Sequence, residues 1–106
     1  MKRLYFLSTC DKCKRLLSEA KNIESFEKVD LKKENIDEKT LDILFSKTKS
    51  YESLFNKRAQ KYKSQELKQS IKTDLDFRQL ILDEYTFLKR PVLIDGNEIK
   101  IENINS

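Results

Sequence analysis

The 106-residue sequence predicts an α/β fold in which a strand–helix–strand unit, a helical middle and a closing pair of strands share one small mixed sheet. Three observations carry that expectation. The apolar run Leu4-Tyr5-Phe6-Leu7 leads directly into a segment whose apolar side chains recur at helical spacing. The only glycine, Gly96, separates two short β-rich runs near the end of the chain, where a hairpin turn wants positive φ. The only proline, Pro91, opens the first of those runs, a strand position that tolerates the missing N–H.

In order, residues 3–7 read as a short buried strand. Residues 11–22 read as a helix with Cys13, Leu16, Leu17 and Ala20 on one face. The stretch Phe26-Glu27-Lys28-Val29-Asp30-Leu31 alternates with period two and reads as a second strand, parallel to the first because a helix separates them. Asn35 followed by Glu38 resembles a capping box. It predicts a helix carrying Leu41, Leu44 and Phe45 and ending near Lys49. Tyr51 to Phe55 predict a short helical piece. Phe77, Leu80, Ile81 and Leu88 predict a further helix that ends before Pro91, because a residue preceding proline avoids helical dihedrals. Val92-Leu93-Ile94, Asp95-Gly96-Asn97 and Ile99-Lys100-Ile101 predict a hairpin. Taken together, this is the element order of a thioredoxin-like fold, a single domain over residues 1–106 with a helical insertion at about 35–88.

Composition narrows the function classes. Apolar residues make up 38% of the chain and charged residues another 38%, but the apolar positions cluster periodically, which favours a folded domain with a heavily charged surface over disorder. The net charge of +4 comes from interspersed signs, so no basic arm calls for direct nucleic-acid binding. Leu4 to Leu7 is too short for a secretory leader, and no run approaches the about 20 residues of a membrane span. The chain therefore reads as cytoplasmic.

Cys10 and Cys13 are the only cysteines, and the chain has no histidine. A structural zinc site wants four ligands, so this pair would need carboxylates or a second protomer to complete one. An inert packing role suits Cys13, which lies on the apolar helix face, better than Cys10 at the helix mouth. The redox reading uses both: Cys10 attacks an oxidised substrate and Cys13 resolves the adduct from within the same turn. Lowering a thiol pKa from about 8.5 to about 6.5 takes ~2.7 kcal/mol. A helix N-terminus supplies typically 0.3 to 1 and at best about 2 kcal/mol. A cation must contribute the rest. Lys12, Lys14, Arg15, Arg58 and Arg90 are the candidates. Lys12 and Lys14 are expected to point to solvent, whereas Pro91 places Arg90 at the start of a strand beside the first one.

Three blocks in register, Leu4 to Arg15, Leu54-Phe55-Asn56-Lys57-Arg58 followed by Tyr62, and Leu88-Lys89-Arg90-Pro91-Val92-Leu93, resemble the arsenate reductase-like family that also includes the Spx regulators. The resemblance implies the same thioredoxin-like fold and a cis bond before Pro91. It implies a reactive thiolate at Cys10 flanked by oxyanion-binding arginines, with Arg58 and Arg90 matching two of them. Guanidinium groups suit that role because they stay charged and offer forked donors. Three departures stand out: Glu102-Asn103 occupies the place of the third family arginine, Lys14 stands where members usually carry arginine, and the sequence ends at Ser106 where the family continues into a Gly-containing segment and a helix, as a shortened form would.

The expectation is therefore a thiol-disulfide oxidoreductase: Cys10 nucleophile, Cys13 resolving thiol, Arg58 and Arg90 stabilising thiolate and anion, Thr9 and Pro91 shaping the groove for the incoming thiol. No bound cofactor or metal is expected, with glutathione or thioredoxin as the electron donor and a disulfide or oxyanion as the substrate. The alternatives that the resemblance offers are an Spx-like redox sensor binding RNA polymerase and an arsenate reductase proper.

Overall fold

The computed structural model describes residues 1–105, so Ser106, the last residue of the predicted domain, lies outside the described residues. The chain divides into two compact units, Met1–Glu34 with Arg90–Ser106, and Asn35–Lys89.

The first unit is the sheet. Strands β1 (Lys2–Phe6), β2 (Glu27–Asp30), β3 (Val92–Asp95) and β4 (Glu98–Ile101) lie in the order β2-β1-β3-β4. β1 pairs parallel with β2, placing Phe6 opposite Asp30, and antiparallel with β3, placing Leu4 opposite Leu93. β3 and β4 form the expected hairpin around Gly96, at φ 60°, and Asn97. Helix α1 (Asp11–Glu19) connects β1 to β2. Its Leu16, Leu17 and Ala20 pack with Ile23 and Phe26 against Leu4, Leu93 and Ile104, so the periodic stripe in the sequence is the face laid on the sheet. α1 ends two turns after Cys13 and short of residue 22, because Ala20 adopts an extended conformation and Asn22 a left-handed one at φ 61°.

The second unit is helical: α2 (Glu38–Thr48), α3 (Gln60–Ser64) and α4 (Asp74–Asp83), with single 3₁₀ turns at Glu52–Leu54, Leu67–Gln69 and Tyr85–Phe87. Leu41, Leu44, Leu54, Phe55, Phe77, Ile81, Phe87 and Leu88 form its buried interior. Three details depart from the sequence expectations and one meets its expectation in a tighter form. Asp37, not Asn35, caps α2, accepting the Thr40 N–H at 3.0 Å, while the Asn35 amide donates to the Ile81 and Leu82 carbonyls. The short helical piece expected at Tyr51 to Phe55 is present as a 3₁₀ turn over Glu52–Leu54. The helix expected to run through Leu88 stops at Asp83, because Glu84 turns extended and its carboxylate accepts from the N–H and hydroxyl of Thr86 to start a separate turn. α3 had no apolar period to announce it; none of its residues is buried. No helix among the described residues is long and apolar enough to cross a membrane.

Candidate active site

The mouth of α1 is built by a short loop. β1 delivers Leu7, the Cys10 N–H turns back to the Leu7 carbonyl at 3.0 Å, and the Cys10 carbonyl accepts the Lys14 N–H at 3.1 Å as the first bond of the helix. Cys10 is thus the N-cap residue, with extended dihedrals that leave the N–H groups of the first turn pointing past it. The loop is also held from the side. The Asp30 carboxylate, at the end of β2, accepts the Ser8 N–H at 3.2 Å and the Lys32 N–H at 3.1 Å. Burial would push the Asp30 carboxyl up, but the Ser8 hydroxyl and these N–H groups outweigh it and lower its pKa.

Cys10 is partly exposed and Cys13 fully buried, and both are free thiols. Burial acts to raise the Cys10 pKa. The Cys13 N–H, the Cys13 thiol and the Arg90 guanidinium together overcome it and hold Cys10 below an ordinary thiol. As a neutral thiol Cys10 accepts no capping hydrogen bond; its sulfur becomes a strong acceptor only as the thiolate, which is why the same N–H groups favour the charged form. Cys13 moves the other way. Burial and the adjacent Cys10 charge push its thiol up to about 11, against the lowering influence of the Leu7 N–H and Arg90. One sulfur is prepared to react and the other is kept protonated.

Arg90 reaches the pair from the segment that enters β3, across a cis Arg90–Pro91 bond, with Pro91 itself fully buried. The expected cis bond is present, and the strand beside β1 begins at Val92, so Arg90 stands two residues before it and not at its start. Thr9 is exposed in the loop immediately before Cys10. Arg58 lies in the helical unit, exposed, its backbone N–H donating to the Asn56 side chain at 3.1 Å. Lys14 and Arg15 are exposed on α1, as expected for solvated charges. Lys12 departs from that expectation: its ammonium donates to the Glu102 carboxylate at 2.6 Å, with both side chains about two-thirds covered. Among the described residues, no group of three or more His, Cys, Asp or Glu side chains is placed to hold a metal ion.

Two residues of the site were not anticipated from sequence. Asp30 carries a signal in hindsight, since an acid at the end of a strand parallel to β1 sits level with the loop that β1 feeds. Glu102 stands out in the sequence only by occupying, with Asn103, the place of the third family arginine; its contact with Lys12 carries no local signal, because the partner is 90 positions away.

Arg90→Ala should raise the Cys10 pKa and slow its alkylation at pH 6.5 about three- to tenfold, since an opposite charge beside an ionisable group shifts it by a unit or more when well buried and by less at this exposure. The two rate profiles should converge above pH 9, where the thiolate forms without help. A pH midpoint unchanged by the substitution would show that Arg90 does not act on the sulfur.

The ArsC family profile matches residues 5–101 of the chain. Among solved structures the chain is similar to a putative arsenate reductase from Yersinia pestis, with a TM-score of 0.79, 16% identity, and 95% of this chain and 91% of that one covered. It is similar to the arsenate reductase from Vibrio cholerae, with a TM-score of 0.78, 14% identity, and 94% and 87% covered. At such identities the likeness is one of fold. An arsenate reductase (ArsC) related protein from Brucella melitensis shares 27% identity, with a TM-score of 0.67 and coverage of 94% and 84%. Among curated proteins none matches.

Proposed function

This chain belongs to the ArsC family, and within that family we propose that it is a thiol-disulfide oxidoreductase working through Cys10 and Cys13. The observation that carries the reading is the opposed tuning of two neighbouring thiols, Cys10 lowered and Cys13 raised to about 11, around one guanidinium.

The Cys10 thiolate attacks one sulfur of a substrate disulfide, R–S–S–R′. A Cys10–S–S–R bond forms, the substrate S–S bond breaks, and R′–S⁻ leaves. Cys13 then gives up its proton to solvent and attacks the Cys10 sulfur, forming the Cys10–Cys13 disulfide and releasing R–S⁻. The substrate gains two electrons and the cysteine pair loses two. Thioredoxin, or two glutathione molecules, returns them by the reverse exchange.

The charges around the pair support this order. Burial, and the Cys10 charge whenever Cys10 is ionised, hold the Cys13 thiol protonated. When Cys10 becomes part of a mixed disulfide that charge disappears, while Arg90 and the Leu7 N–H remain to favour the Cys13 thiolate. The second nucleophile is thereby activated by completion of the first step. Thr9 and Pro91 are proposed as the walls against which the incoming thiol lies.

Mixing the reduced protein with excess bis(2-hydroxyethyl) disulfide tests the proposal. One intrachain disulfide per protein and two equivalents of 2-mercaptoethanol are the expected products. Protein that releases no thiol, or that keeps one mercaptoethanol bound without closing its own disulfide, would refute it.

A further inference from the structure

The ion pair between Lys12 and Glu102 stands at the reactive pair itself. Lys12 lies between the two cysteines in the first turn of α1, so that its ammonium is a second cation at the site beside Arg90. Glu102 takes that ammonium at 2.6 Å. The carboxylate is also fixed to the other wall of the site: Glu102 holds a left-handed backbone at φ 68°, and its N–H donates at 2.8 Å to the carbonyl of Pro91, the residue after Arg90. A residue without glycine's freedom in that conformation costs about 1 kcal/mol or more, so its placement is imposed by its surroundings. The arrangement therefore sets two charges to opposite uses: Arg90 favours the thiolate, and Glu102 neutralises the cation that an approaching anion would use.

We propose that Glu102 is a specificity-determining residue that turns the site against anionic substrates and toward uncharged or cationic disulfides, through its contact with Lys12 and its anchorage beside the cis-proline. The inference rests on the thiol-disulfide reading and adds the substrate class to it. An anion approaching Cys10 meets a Lys12 ammonium already neutralised by a carboxylate instead of a second free cation beside Arg90, while a cation or a neutral disulfide loses nothing by that pairing.

Two alkylating reagents that attack the same thiolate but differ in charge isolate this effect. The rate ratio of iodoacetate to iodoacetamide cancels any change in the Cys10 pKa or in access, because both reagents respond equally to those. Glu102→Gln should raise the ratio about three- to tenfold at low salt, with the gain largely lost at 1 M salt. Lys12→Met should lower the ratio by a similar factor. In exchange reactions, the preference for cystamine over 3,3′-dithiodipropionate should fall in Glu102→Gln and rise in Lys12→Met. A ratio unchanged in both variants overturns the assignment, as does a change that persists at high salt. If the alkylation ratios shift as expected but neither disulfide is reduced by the unsubstituted protein, it is the oxidoreductase reading that fails, and the electrostatic assignment to Glu102 survives it.

Discussion

Cys10→Ser should abolish reduction of small disulfides, with a loss of at least about a thousandfold, because a hydroxyl cannot supply the ionised nucleophile on which the first exchange depends. Cys13→Ser should behave differently. It keeps the attacking sulfur and Arg90, so one equivalent of leaving thiol should be released in a single burst, with the other half of the substrate retained on Cys10. Mass spectrometry of the intact chain reads the adduct directly, and the burst amplitude reads the first step. Residual turnover in Cys10→Ser near the unsubstituted rate would remove Cys10 from the mechanism. Multiple turnover without an adduct in Cys13→Ser would assign resolution to an external thiol.

Phe55→Ala should be the most damaging single truncation in the helical unit, costing about 3 to 5 kcal/mol. The ring is 1% exposed and touches three others, with centroids 5.3 Å from Tyr62 and 5.0 Å from both Phe77 and Phe87. Backbone bonds on each side of it, from Asn56 N–H to the Phe87 carbonyl at 2.7 Å and from Lys89 N–H to the Leu54 carbonyl at 2.9 Å, leave the neighbouring chain unable to collapse into the space. Against a typical total stability of about 5 to 15 kcal/mol, such a loss would bring the unit close to unfolding. Urea titration of Phe55→Ala and Phe55→Leu side by side checks the cause, since leucine keeps an apolar packed side chain and should cost markedly less. A Phe55→Ala cost below about 1 kcal/mol would show that the aromatic cluster does not hold the unit together.

The sheet was legible because its signals are local. A period of two in β2, a single glycine at the hairpin, a single proline at β3 and a period near 3.6 in α1 each need only a few consecutive residues to be read. The same reasoning put Cys13 inside and Cys10 at the opening, as found. The helical unit was read less well, and each miss has a physical origin. Asn35 and Asp37 are both good capping residues within reach of the same helix, and what separates them is a tertiary demand, the Ile81 and Leu82 carbonyls that claim the Asn35 amide. Glu84 breaks the helix after Asp83 by bonding to Thr86, a choice that helical periodicity cannot register. Within the site, Arg90 could be singled out from the chain because proline fixes its strand context. The ion pair of Glu102 could not, since its partner is an ammonium 90 positions away.

The loop that carries Cys10 is moored before any chemistry occurs: Ser8 to Asp30 on one side, Cys10 to Leu7 on the other, and the first turn of α1 beyond. A backbone held at those points has little freedom left to surrender when two sulfurs one helical turn apart become joined. Closing the disulfide then removes almost no chain entropy from the folded protein, and opening it returns almost none. The equilibrium between dithiol and disulfide is left to the electrostatics of the thiolate, so substitutions of nearby charges should move the potential of the pair while substitutions that merely loosen distant loops should leave it where it is.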